Sequence, residues 1–435
     1  MPLAIELAAA RVATDDLEWI AGHLDDRFAL LTDGARTALP RHQTLRATLD
    51  WSHDLLPEPE RILFRRLAVF RGGWAADAAE SVCAGDGLPA RDIPRLLGRL
   101  ARRSLVSMER QAGAVRYRLL ETVHAYASDR LEASGEAAGL RARHADRQCA
   151  LVERAWPELI SPAEMAWLAR LEADLDNLRA ALAWHLGEGR ARDAALRLAG
   201  GLTFLWVTRG AIAEGTALLG AALSAADTSC DPAARSRALW GASLLAFYRG
   251  DLPGARSLGE EALELRRALD SPRDLIQSLK DLGLIAREQD DLDAADRWLR
   301  GAMALSLEIG DEANYAVAAD RWATVAHRRG DWHRSLVLYD DSMRTWRELG
   351  DTANLAWSHL NQGCWALDHG DPREAREQLL AGLEIRRANG HRPGLVCLLE
   401  AFAALSWAEG RPVRAARLAG AAVALREASG LLQMS

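Results

Sequence analysis

The apolar positions of this 435-residue chain recur at helical spacing along most of its length. Ile93, Leu96, Leu97 and Leu100 share one face of a helix beginning at Asp92, and Arg95, Arg99, Arg102 and Arg103 occupy its polar side. Ile62, Leu63, Leu67 and Phe70 form a similar stripe between Pro57 and Arg71; Gly72-Gly73 ends that helix, and Ala75 to Cys83 reads as a second, short one. The period then drops to two. Val115-Arg116-Tyr117-Arg118-Leu119 alternates and, with Leu105 to Arg110 and a turn at Gln111-Ala112-Gly113, predicts a hairpin. An amphipathic helix follows from Glu121 to about Ala133. Further on, Leu140 to Gly187 reads as two or three helices, with Leu168, Leu171, Leu175, Leu178, Ala181 and Leu182 making one apolar face.

Three helices followed by a two-stranded wing describe a winged-helix domain. Beyond it the pattern repeats every 40 residues: Gly250, Asp290, Gly330, Gly370 and Gly410 form one turn series, and Asp270, Gly310, Gly350, Gly390 and Gly430 another. Asp251, Asp291, Asp331 and Asp371 follow the first series, which puts a residue tolerant of left-handed backbone after one helix and an N-capping carboxylate before the next. Small residues keep the same spacing at Ser243, Gly283, Ala323, Gly363 and Ala403, and twelve on at Ala255, Ala295, Ser335, Ala375 and Ala415. Small side chains at two fixed points let paired helices approach closely. This arrangement resembles tetratricopeptide repeats in a 40-residue version, over roughly residues 195–435, with a weaker sixth unit in phase at Thr203, Gly210 and Gly215. The fold class expected is therefore mainly α: a winged-helix domain followed by an α-solenoid of helical hairpins.

Such a stack is a surface for holding a partner. By analogy with tetratricopeptide arrays, residues six and three before each small residue, and one, four and five after it, point into the groove. This selects Trp240, Phe247, Tyr248, Lys280, Arg287, Asp320, His327, Arg328, Trp357 and Trp407 as candidate partner contacts for a protein, peptide or small-molecule effector. Removing Trp240 and Tyr248 is expected to weaken partner capture.

Composition narrows the function classes. A hydrophobic content of 49% with 26% charged residues is ordinary for a globular chain, and neither a signal peptide nor an apolar run of 18 residues occurs, so a cytoplasmic protein without membrane partners is expected. Five scattered cysteines without a CxxC pair argue against both a disulfide framework and a zinc knuckle. The eleven histidines lack HExxH spacing, and neither a GxSxG elbow nor a GxxxxGK[ST] loop is present, so no metal site and no enzyme activity are expected of this chain. Net charge is −7, yet Arg61 to Arg130 holds 13 Arg against 7 acidic residues, a local +6. Arg95, Arg99, Arg102 and Arg103 are the candidate DNA contacts there, although base readout also calls for Asn, Gln, Ser or Thr, which that face offers only at Ser104. Lys280 is the only lysine among 54 basic residues.

Longer strings carry a second resemblance. Pro2-Leu3-Ala4-Ile5-Glu6-Leu7-Ala8-Ala9-Ala10-Arg11, Leu24-Asp25-Asp26-Arg27-Phe28, Leu39-Pro40-Arg41, Gln43-Thr44-Leu45-Arg46-Ala47-Thr48-Leu49-Asp50-Trp51-Ser52, Phe70-Arg71-Gly72-Gly73-Trp74 and Tyr117-Arg118-Leu119-Leu120-Glu121-Thr122-Val123 resemble the part of STAND-type signalling ATPases that follows the P-loop domain. The family implied is bacterial transcriptional regulators of the AfsR/SARP and large LuxR type. The resemblance implies remnant lid helices at 1–56, a winged helix at 57–135, a helical linker at 136–194 that braces the repeats, and repeats at 195–435, five clear and one weak. Pro2 matches the family proline near adenine; Leu120 stands where relatives place the His of a Met-His-Asp motif, and Glu121 matches its Asp. These three are the nucleotide-sensing remnant. Leucine cannot donate to phosphate, and no cofactor is expected in this chain, ATP or ADP entering only with an NTPase domain upstream. Both ends read as cut. The leading reading is the signal-sensing part of such a regulator, the repeats taking the effector and the winged helix relaying it. The alternatives are a stand-alone repeat adaptor without ATPase and a direct winged-helix DNA binder.

Overall fold

A computed structural model describes residues 45–111, 114–160, 163–187, 191–227 and 229–429. Pro2, most of the lid segment and Gly430 lie outside the described residues. The chain divides into two compact units, one holding residues up to Gln148 with Asp174–Trp184, the other Cys149–Ala173 with everything from His185 on.

The first unit is the winged helix. Helices α1 (Leu45–Asp54), α2 (Glu58–Arg66), α3 (Ala76–Cys83) and α4 (Ile93–Arg102) precede strands β1 (Ser107–Gln111) and β2 (Ala114–Arg118), and α5 (Glu121–Ser134) follows. The strands pair antiparallel with Met108 opposite Tyr117. Tyr117 also exchanges both backbone hydrogen bonds with Trp74, each 2.8 Å, which ties the wing to the segment after Gly72-Gly73. The apolar stripes converge on one core in which Leu63, Leu67, Leu97, Leu100 and Tyr126 are buried and Phe70 stacks on Trp74 at 5.2 Å. At the head of α6 (Ala137–Ala155), Glu136 receives Arg65 at 2.8 Å and also binds Arg66, a buried arginine that donates to Cys83 O at 2.8 Å and Gly85 O at 2.7 Å. Asn177, in α8 (Leu175–Leu186), accepts from Arg71 N and donates to Gly73 O, both at 2.8 Å, so this stretch packs with the winged helix.

The second unit is the solenoid. After α7 (Glu164–Ala173) come α9 (Arg192–Gly201), α10 (Thr203–Arg209) and α11 (Ile212–Ala225). Five hairpins then follow: α12 and α13 (Pro232–Tyr248, Leu252–Ala268), α14 and α15 (Pro272–Glu288, Leu292–Glu308), α16 and α17 (Glu312–Arg328, Trp332–Leu349), α18 and α19 (Thr352–Asp368, Pro372–Asn389), α20 and α21 (Arg392–Ala408, Pro412–Ala428). Every described member of the two turn series has positive φ, from 50° at Asp270 to 79° at Gly330. Asp251, Asp291 and Asp331 cap the outer helices by accepting backbone N–H groups of Gly254, Ala294 and Arg334 at 3.0–3.2 Å, and Asp371 does the same for Glu374 at 3.0 Å. The small positions are contact points. A Cβ on Gly283 would stand 2.6 Å from Leu299, and one on Gly363 2.7 Å from Leu379.

The stack returns upon itself. A Cβ on Gly210, which ends α10, would fall 2.6 Å from Ser429 and 3.3 Å from Arg392, so the last hairpin lies against the first helices. Among the described residues no helix is long and apolar enough to cross a membrane.

Candidate functional site

The inner helices α12, α14, α16, α18 and α20, with Phe204, Val207 and Thr208 of α10 and Glu164 of α7, surround a cavity of about 400 Å³ within the solenoid. Its wall repeats with the sequence period. Positions six before the small residue contribute Gln277, Val317, Trp357 and Cys397, and positions three before contribute Lys280, Asp320, Leu360 and Glu400. The face then drifts. The first inner helix presents Leu244, Phe247 and Tyr248 near its C-terminal end, while α16, α18 and α20 present Ala313, Ala353 and Pro393 near their N-terminal ends. Each repeat is rotated against its neighbour, so the inward stripe climbs along successive helices.

Of the predicted groove residues, Phe247, Tyr248, Lys280, Arg287, Asp320 and Trp357 line this cavity. The other four do not. Trp240 is 1% exposed, wedged against Trp156 and Phe204, with its indole N–H donating to Asp281 at 2.7 Å. His327 sits 3.4 Å from Asp368 and 5.6 Å from the His369 ring, and Arg328 donates to the carbonyl of Arg287 at 2.8 Å. Trp407 is 71% exposed. The later inner helices have turned these C-terminal positions away from the cavity. Sequence reasoning missed Asp281, Arg321 and Asn361, one position past the predicted stripe, and Asn314 and Asn354, which share a phase 40 residues apart.

The wall is rich in buried charge. Asp281 accepts from Trp240, from Gln277 at 2.8 Å and from Arg321 at 2.6 Å; burial would raise its carboxyl, but the Arg321 and Lys280 charges, with the hydrogen bonds from Arg321 and Trp240, hold it below the usual range. Arg287 pairs with Glu288 at 2.7 Å, and Arg426 pairs with Glu400. Asp320 accepts from Asn361 at 2.7 Å, and its burial raises its pKa. Lys280 donates to Asn314 Oδ1; burial, helped by the Arg321 charge, lowers its pKa to about 7. Burial, helped by Asp351, raises Glu164 to about 7. Arg386 lies over the Trp357 ring, 4.7 Å from its centroid, and burial lowers it to about 10. His391 is held well below its ordinary pKa by burial, and its Nδ1 accepts from Gly394 N at 3.0 Å. Among the described residues no cluster of His, Cys, Asp and Glu could hold a metal ion.

The other candidates lie in the winged helix. Arg99 of α4 and Arg103 just past its end both reach Glu60, which is 2% exposed, at 3.4 Å, and Arg95 pairs with Asp92 at 3.6 Å. Arg102 is exposed at the end of α4. Two of the four arginines are thus engaged in holding α2 to α4. Leu120 is half-buried against the core, and Glu121 occupies the first turn of α5, exposed.

Comparison with known proteins agrees with this architecture. A winged helix-turn-helix domain family matches residues 56–132, and a tetratricopeptide repeat family matches residues 314–388. A Mycobacterium bovis protein, provisionally assigned as an HTH-type transcriptional regulator, is 40% identical over 293 residues, covering 65% of this chain and 32% of its own. A second, uncharacterized M. bovis protein is 46% identical over 150 residues, 33% of this chain and 37% of its own. The chain thus spans about a third of the length of these curated relatives. Aspartyl phosphate phosphatase F of Bacillus subtilis superposes with a TM-score of 0.52 at 10% identity, over 92% of this chain and 99% of its own, a likeness of fold alone.

Proposed function

We propose that this chain is the effector-sensing part of a transcriptional regulator of the STAND type, whose repeats admit a small-molecule or short-peptide effector and whose winged helix carries the response. The observation that supports this most is the cavity. It has the volume of a small-molecule site, and it is walled by apolar side chains interspersed with buried ionisable groups at lowered or raised pKa, the composition expected of a binding pocket. The similarity to an HTH-type regulator over 65% of the chain supplies the regulatory context. No nucleotide chemistry is assigned to these residues, since the sequence has no P-loop and Leu120 offers no donor to a phosphate. Direct reading of DNA by α4 is not part of the proposal, because Arg99 and Arg103 are engaged with Glu60.

Filling the cavity tests the reading. Leu284, half-buried on α14, faces it, so Leu284→Trp should occupy the space while leaving the helix pairing intact. The expected outcome in the source organism is a folded variant whose regulated transcripts no longer respond. Unchanged transcripts with a folded Leu284→Trp protein would sink the proposal.

A further inference from the structure

The cavity wall carries a buried guanidinium whose donors the protein does not fully use, although the Glu164 and Asp351 carboxylates act on its charge. Arg386 is 2% exposed, and among the described residues it makes neither a salt bridge nor a side-chain hydrogen bond; its Nη2 is buried without a partner. Two arginines buried as deeply place most of their donors, although Arg266 Nε is also buried without a partner. Arg66 spends its donors on Cys83 O, Gly85 O and Glu136, and Arg266 on Asp274 O at 2.9 Å and Ser278 at 2.8 Å. A buried guanidinium whose N–H groups lack acceptors is costly for a fold to retain, even with carboxylates nearby. Glu164, the carboxyl that acts most on Arg386, is itself raised to about 7, so at neutral pH it supplies only part of a counter-charge. Trp357 covers one face of the guanidinium and cannot accept from its N–H edge.

A second basic group in the same wall also has spare donors, although the Asp281 and Asp311 carboxylates act on its charge. Lys280 is 3% exposed and donates only to Asn314 among the described residues, leaving two of its three ammonium hydrogens without an acceptor. The remaining cations of the lining are committed: Arg321 to Asp281, Arg287 to Glu288 and Arg426 to Glu400. The unspent donors of the cavity therefore belong to its two basic side chains, Arg386 and Lys280.

We propose that the effector is a small organic anion whose carboxylate or phosphate group is held by Arg386, with Lys280 in the same wall offering a separate donor to a second polar group of the ligand. This rests on the cavity being the effector site. A planar guanidinium presents paired donors that match either oxyanion, while the apolar positions Leu244, Phe247 and Leu284 receive the ligand's carbon skeleton.

The test uses the whole chain at constant ionic strength. Citrate, glutarate, inorganic phosphate and N-acetyl-trialanine with a free C-terminus are the anionic probes; glutaramide and 1,5-diaminopentane are the neutral and cationic controls. Binding is read by thermal shift and by mass-spectrometric acetylation of Lys280, which as the only lysine gives an unambiguous signal. At least one anion should raise Tm saturably and protect Lys280. Arg386→Met should weaken that anion about 100-fold without lowering the Tm of the free protein, since it removes a buried guanidinium with an unpartnered donor. Lys280→Met should weaken it about 10-fold. The phosphate, carboxylate and peptide arms identify the source of the oxyanion. Equal anion binding by Arg386→Met and the parent chain overturns the proposal, as does the absence of any anion shift. If only the neutral or cationic control binds, the anion assignment falls while the effector reading stands. The transcript response of Leu284→Trp decides the latter separately.

Discussion

Gly283 and Gly220 both occupy helix interiors, and replacing them by alanine should have opposite effects. A Cβ at Gly220 meets nothing within 4 Å, so Gly220→Ala should gain about 1 kcal/mol of helix propensity. At Gly283 the same methyl lands 2.6 Å from Leu299, and overpacking of about 1–3 kcal/mol should outweigh the propensity gain. Urea unfolding of the two variants checks the sign at each site. Lys280 has a chemical counterpart. With a pKa near 7 it is about half neutral at pH 7, so its acetylation rate should level off just above neutrality; a rate still climbing through pH 9 would place it among ordinary lysines. The sequence marks Lys280 and the glycines individually, because special residue types stand out. Arg386 carries no such mark: 54 basic residues look alike until burial distinguishes them.

At the scale of elements, turn chemistry was the legible part. A helix C-terminus needs left-handed backbone and the next helix needs a cap, and both demands are met within a few residues, so Gly250, Asp290, Gly330 and Gly370 with their following aspartates could be read without tertiary information. Asp331→Ala should cost about 1 kcal/mol, measured by thermal unfolding. The helices and wing of the first unit were legible for the same reason, since apolar period alone separates α2, α4 and β2. Its acid response was not. Burial alone would raise Glu136, but hydrogen bonds and charge from Arg66 and Arg65 hold it down to about 2, and burial lowers His144 to about 4 although Asn177 opposes this. Both folded-state pKa values lie below the ordinary 4.5 and 6.5, so the unfolded chain takes up protons first as pH falls. Stability present at neutral pH should therefore drain away in two stages, His144 between about 6.5 and 4 and Glu136 between about 4.5 and 2. Glu136→Gln should flatten the lower stage in a pH series of urea melts.

For the whole molecule, the solenoid's closure upon its own first helices makes a cavity out of what would otherwise be an open groove. Gly210, at φ 68° and against Ser429, sits at that junction. Gly210→Val should force the last hairpin away from α10, widening the solenoid in small-angle scattering and weakening any cavity ligand. An unchanged radius of gyration would show that the junction does not govern closure.

The period of 40 determined by itself that the second unit is a stack of hairpins and where its turns fall. These depend on contacts within a helix or between consecutive helices, and a local pattern encodes them. What only the tertiary structure decided is the angle between successive repeats, summed over five of them. That sum carried Phe247 and Tyr248 into the wall but turned His327, Arg328 and Trp407 out of it, and it brought Phe204, Glu164 and Arg386 in from positions outside the inner-helix stripe. Small rotations fixed by side-chain packing accumulate along a solenoid, and no stretch of sequence states their total.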